Sequence, residues 1–169
     1  MPKIKSYYYK LAIELVLNLY EEGLIYEKEQ EDYLNWIPYK LELAVEKDKH
    51  VIDGISFSLE GLKCFIKKME YVLNERNISS EYEKISYCGP EAEFEIIFQN
   101  KDDYWEDRII DTEVWLNASV IEMQQGGYFL GYKFNIKFED LKQFVRELKE
   151  KLQALLQKGE GEEMIDNSI

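Results

Sequence analysis

Two stretches seventy-nine positions apart, LEGLKCFIKKM from Leu59 to Met69 and FEDLKQFVREL from Phe138 to Leu148, carry the same pattern after a run of alternating apolar residues. Aligned, Glu60 falls on Glu139, Leu62 on Leu141, Lys63 on Lys142, Phe65 on Phe144, Ile66 on Val145 and Met69 on Leu148, with Phe57 over Ile136 just before the junction. Apolar residues at spacings of three and four line one stripe of a helix. Such a stripe has to be buried, and the apolar face of a sheet is the surface that the rest of the chain supplies. The chain therefore reads as two halves, about 1–77 and 78–157, each a run of strands closed by one amphipathic helix.

The strands are legible by their period of two. Leu11, Ile13, Leu15, Leu17 and Leu19 alternate with Lys10, Ala12, Glu14, Val16 and Asn18, and a helix would scatter those five residues around its circumference. Tyr39, Leu41, Leu43 and Val45 share a face of a second strand over 37–46. KDKHVIDG reads as a hairpin turn and ISF as the entry to a third strand, after which Ser58 caps the first helix, expected to run to about Asn74. Phe94, Ile96 and Phe98 oppose Glu93 and Glu95, TEVWLNASVIEM alternates again, QQGG is a turn, and YFLGYKFNIKF supplies the last strand. Connections of turn length favour antiparallel pairing. The expected fold is α+β, an antiparallel β-sheet with two amphipathic helices packed on one face, forming a single domain over 1–157. Residues 158–169, GEGEEMIDNSI after Lys158, hold too little apolar surface to pack and are expected to be a disordered acidic tail.

At 169 residues the chain is long enough to bury a core without staples. Its two cysteines, Cys64 and Cys88, form no CxxC, and Cys64 reads as a small hydrophobe on the apolar face of the first helix. The one histidine, His50, reads as a satisfied surface residue, and neither a metal nor a cofactor is expected. The opening MPKIKSYYYK lacks the features of a signal peptide, and no apolar window is long enough to span a membrane, so a cytoplasmic protein is expected.

Charge points to the partner. A net of −13, from 34 acidic against 21 basic residues, repels phosphate backbones and favours a basic protein over nucleic acid. In KDDYWEDRIID the acid groups Asp102, Asp103, Glu106, Asp107 and Asp111 surround Tyr104 and Trp105. Aromatic anchors ringed by acid suit recognition of a cationic surface, since the rings give contact area and the charges steer the encounter. Glu27 to Asp32, EKEQED, is a second acidic candidate without an aromatic inside it. Glu91, Glu93 and Glu95 fall on one face of a predicted strand, an arrangement that serves acid–base chemistry or simply a solvated sheet face. An accessory or scaffold subunit pairing through a sheet edge is the third class that this composition allows.

The order of the pieces DYLNWIPYKLELAV, ISFSLEGLKCFIKKMEYVL, YCGPEAEFEIIF, DTEVWLNASV and KFNIKFEDLKQFVRELKEKLQALL resembles the WapI-type immunity proteins of bacteria, over about Asp32 to Leu156. These are small cytosolic partners of wall-associated and other contact-dependent polymorphic toxins. The resemblance implies a chain without catalytic residues of its own that docks on a cognate toxin and neutralises it. No functional residues are carried over by motif. Where such a toxin is a nuclease its substrate groove is basic, which suits an acidic inhibitor.

Overall fold

The computed structural model describes residues 1–7, 12–20, 36–74, 84–100, 109–121 and 128–166. The first half runs β1 (Lys3–Lys5), β2 (Ile13–Leu19), β3 (Trp36–Val45), β4 (Asp48–Ser58) and helix α1 (Leu59–Asn74). The second runs β5 (Lys84–Cys88), β6 (Phe94–Asn100), β7 (Ile109–Asn117), the short α2 (Ala118–Ile121), β8 (Phe129–Lys137) and α3 (Phe138–Asp166). The α+β class expected from the sequence holds, but the strands form two antiparallel sheets, β1-β2-β3-β4 and β5-β6-β7-β8, where a single sheet was expected. The reason lies in the connectivity. Each meander pairs strands adjacent in sequence, and α1 then leads the chain away from the edge of the first sheet before β5 begins.

The helices start at Leu59 and Phe138, seventy-nine positions apart as the repeated pattern requires. Leu62, Phe65, Ile66 and Met69 of α1 and Leu141, Phe144, Val145 and Leu148 of α3 are all buried. The two helices pack on each other, and each reaches both sheets: α1 touches β4 as well as β5 and β6, and α3 touches β8 as well as β1. One continuous apolar core results, to which both halves contribute. On the helix surfaces Lys149 Nζ meets Glu70 Oε1 at 2.7 Å, at positions again seventy-nine apart. The edges are tied where the Tyr7 N–H donates to the Asn135 carbonyl at 2.6 Å.

Local sequence accounts for the elements. Ile13, Leu15, Leu17 and Leu19 of β2 face inward and are buried, which is the alternation read from the sequence; Leu11 lies outside the described residues. Ser58 caps α1, its Oγ accepting from the Gly61 N–H at 3.0 Å, and the helix ends at Asn74 as expected. Of KDKHVIDG only Lys47 belongs to the turn and the rest is strand: the reversal needs only Glu46 and Lys47, with Glu46 at φ 54°, and Val45 pairs with Asp48 directly across it. TEVWLNASVIEM divides at Asn117, whose Oδ1 accepts from the Ser119 N–H at 3.1 Å and starts the turn of α2. The backbone of α3 stays helical to Asp166, beyond Lys158 where disorder was expected, because extending a nucleated helix costs little per residue. QQGG lies outside the described residues.

The halves meet in an aromatic cluster. Phe57 of β4 lies 4.3 Å from Tyr39, 6.3 Å from Phe65 and 6.3 Å from Tyr87, and Phe94 stands edge-on to Tyr39 at 6.1 Å, all between ring centroids. Such tilted and edge-to-face pairs add to the burial of each ring.

Candidate partner-binding surface

Of the acidic and aromatic residues singled out above, Asp102, Asp103, Tyr104, Trp105, Glu106 and Asp107 lie outside the described residues, as do Glu27 to Asp32. Asp111 sits in β7, half-buried, and accepts from Asn135 Nδ2 at 2.7 Å across the strand pair Asp111↔Asn135. It is thereby part of the outward surface of the second sheet.

Mapping charge onto the fold separates body from connections. Among the residues whose side chains are described there are sixteen acidic and sixteen basic groups, so that part of the chain is neutral. The whole net of −13 belongs to the remaining segments, above all 21–35, 75–83, 101–108 and 159–166. The pattern follows the repeat: 21–35 joins the second and third strands of the first half and 101–108 those of the second, while 75–83 follows α1 and 159–166 forms the end of α3.

The three carboxylates read as sharing a face do not. Glu91 is exposed in the turn before β6, Glu95 is half-buried on the outward side of the strand, and Glu93 is buried completely. Glu93 accepts a hydrogen bond from the Tyr39 hydroxyl and another from the Glu91 N–H at 2.7 Å. A turn in which Ala92 takes φ 55° bends Glu93 inward, and its carboxylate lies so close over Gly89 that any Cβ there would meet Oε1 at 2.4 Å. Burial first, then the hydrogen bond and charge of Glu93, push the Tyr39 hydroxyl well above the ordinary phenol range, so it remains a donor. The pair clamps β3 of one half to the β5–β6 turn of the other. Cys64, expected on the apolar stripe of α1, is exposed, because the stripe passes through Phe65 and Ile66 and leaves position 64 outside it. His50, read as a surface residue in a turn, lies in β4 with Nε2 2.7 Å from the Tyr132 hydroxyl.

The outward face of the second sheet carries a groove of about 300 Å³ lined by Lys84, Gln99, Asp111, Glu113, Lys133 and Asn135 among others. At its centre Glu113 receives Lys84 Nζ at 3.0 Å, Lys133 Nζ at 3.2 Å and the Trp115 indole N–H at 3.2 Å. Desolvation pulls its pKa upward, but the bonds from Lys84, Lys133 and Trp115 together outweigh it and hold the carboxyl below the ordinary glutamate value. The group titrates lower folded than unfolded, so its stabilisation is complete above the ordinary glutamate range and is lost as pH falls through the depressed value. Urea midpoints at neutral pH and in the carboxylate range should therefore differ less for Glu113→Gln than for the unaltered chain. Glu42, lowered by Lys40 and Lys49 on the first sheet, acts in the same direction and leaves part of the acid sensitivity in place.

Beyond the groove the face turns aromatic. Trp115 stands opposite Gly131, and its ring lies over that glycine: a Cβ there would come within 2.2 Å of ring carbon Cζ3. Phe129, on the same strand and face, and Tyr128 beside it are exposed. The sequence puts Trp115 on the outward side of its strand; the signal that would have located the aromatic end is the strand-interior glycine in YFLGYKF, since such a glycine marks close approach by another group.

Among the described residues no group of three or more His, Cys, Asp and Glu is placed to hold a metal ion, and no helix is long and apolar enough to cross a membrane. Comparison with protein-family models, with curated proteins and with solved structures finds no match to this chain.

Proposed function

We propose that this chain is an immunity-type inhibitor that works in the bacterial cytoplasm by binding and neutralising a cationic protein toxin. The observation that carries this reading is the separation of charge: the residues with described side chains sum to zero, and the entire net of −13 falls in the remaining segments, the last residues of α3 included. A protein acidic only for solubility has no need to divide its charge in this way, whereas one that steers a basic partner gains from negative potential concentrated in a few segments. The resemblance to the WapI-type immunity proteins gives the same class of partner. The alternative of a carboxylate hydrolase draws no support from Glu91, Glu93 and Glu95, which point to different surroundings.

The test is growth of a bacterial host that expresses the toxic C-terminal domain encoded beside this chain, with and without the chain itself. Growth is expected to recover when both are made. The purified complex should weaken by about tenfold or more between roughly 50 and 500 mM salt, as screening removes the steering field. Growth arrest that persists at equal expression overturns the proposal, and salt-independent affinity removes its electrostatic part.

A further inference from the structure

Independently of that reading, we infer that β4 is a pairing edge for a second copy of this chain, joining two first sheets into one continuous antiparallel sheet. Four strands border the two sheets, and an exposed border strand recruits another strand unless something occupies it. β1 packs against α3 and β5 against α1, whose Lys68 Nζ donates to the Ser86 carbonyl at 2.6 Å. β8 is met by the Tyr7 N–H at the Asn135 carbonyl. β4, eleven residues long, touches α2 and sends His50 to Tyr132, yet among the described residues no backbone hydrogen bond reaches its outer side.

The hairpin decides which groups that side offers. With two residues in the reversal, Val45 and Asp48 bond to each other, and bonded pairs then alternate along the ladder, Leu43 with His50 and Leu41 with Ile52. The N–H and C=O of Lys49 and Val51 therefore point away from β3. Lys49, Val51 and Asp53 all present exposed side chains on the outward face of the sheet. Past Asp53 the shift of register opposite Lys40 ends the regular stretch.

The side chains on this strip select an identical strip. When two copies of β4 run antiparallel about a two-fold axis at Val51, that valine faces its own counterpart and Lys49 faces the partner's Asp53, twice over by symmetry. Opposite charges then meet on either side of an apolar centre, while the main-chain groups of both strands bond to each other. Both charges are held in place beforehand. Lys49 Nζ rests 2.7 Å from Glu42 Oε2, and the Tyr20 hydroxyl donates to Asp53 at 3.1 Å. Moving the axis two residues either way, to Lys49 or to Asp53, would set like charge against like.

Sedimentation velocity of the full chain from about 1 to 300 μM tests the assignment, at about 0.15 M salt, where repulsion between two acidic molecules is screened beyond about 8 Å. A monomer–dimer equilibrium is expected. Val51→Pro removes an N–H that β3 does not use, so it should abolish the dimer and leave the urea midpoint nearly unchanged. Lys49→Asp and Asp53→Lys each bring like charges together at both ends of the strip and should weaken the dimer by about tenfold or more. An equimolar mixture of those two variants should associate as the unaltered chain does, because each supplies the charge that the other lacks. Loss of folding gives no such rescue, so the mixture decides even where Val51→Pro fails to fold. A chain that stays monomeric over the whole range overturns the inference, as does a dimer that a folded Val51→Pro leaves intact or a mixture that stays monomeric. None of these outcomes touches the inhibitor reading, which growth of the host reports separately.

Discussion

Phe57→Ala is expected to destabilise the fold by about 3–5 kcal/mol, measured as a shift in the urea midpoint at constant slope. Phe57 is fully buried at the end of β4 and contacts rings from β3, α1, β5 and β6, so deleting it opens a cavity where both halves meet. The surroundings cannot easily collapse into that space, because Tyr39 is held by its hydrogen bond to Glu93 and Phe65 by the turn of α1. Trp36→Ala, at an exposed position only twenty-one residues away, should shift the midpoint little. Comparable effects at the two sites would mean that the aromatic cluster is not the junction described above.

The second large effect is expected at Glu93. Replacing it by alanine leaves the buried Tyr39 hydroxyl without its acceptor and releases the Glu91 N–H of the exposed turn to water. An orphaned buried hydroxyl costs about 1–3 kcal/mol, and a loss in that range is expected. Tyr39→Phe leaves the buried Glu93 carboxylate short of a donor and should cost at least as much, since an unpaired charged group is the more expensive to bury. Because the residues share a bond, the double variant should lose clearly less than the two single losses combined. Additive losses would show that the contact across the halves contributes nothing to stability.

What could be read from sequence, and what could not, divides by the range of the interaction. Period and capping are local, which is why the span of α1, its Ser58 cap and the buried faces of β2 and both helices emerged from the residues alone. Glu93 failed for an opposite reason. Its parity beside Phe94 and Glu95 predicts an outward side chain, and only a turn with Ala92 at positive φ and a hydroxyl from fifty-four positions away bring it inside. The division into two sheets is likewise non-local, since each strand would look the same in one sheet of eight. β1 was missed because three residues with a single inward side chain, Ile4, are too short to display a period. Of the candidate binding residues, Asp111 reads from the sequence as an acid of the connection KDDYWEDRIID, and the structure makes it a ladder partner of Asn135 in β7. The aromatic end at Trp115 and Phe129 depends on cross-strand register, which the sequence does not state.

The ion pair between Glu70 and Lys149 has a consequence for how such a molecule can arise and diversify. The two residues occupy corresponding places in the two halves, so their contact marks a site that lies on its own counterpart. Two identical chains associating in this manner would be forced to set glutamate against glutamate or lysine against lysine there. Joining the halves in one polypeptide frees each to change alone, which lets opposite charges meet there and lets one sheet acquire a cluster of aromatic residues on its outward face.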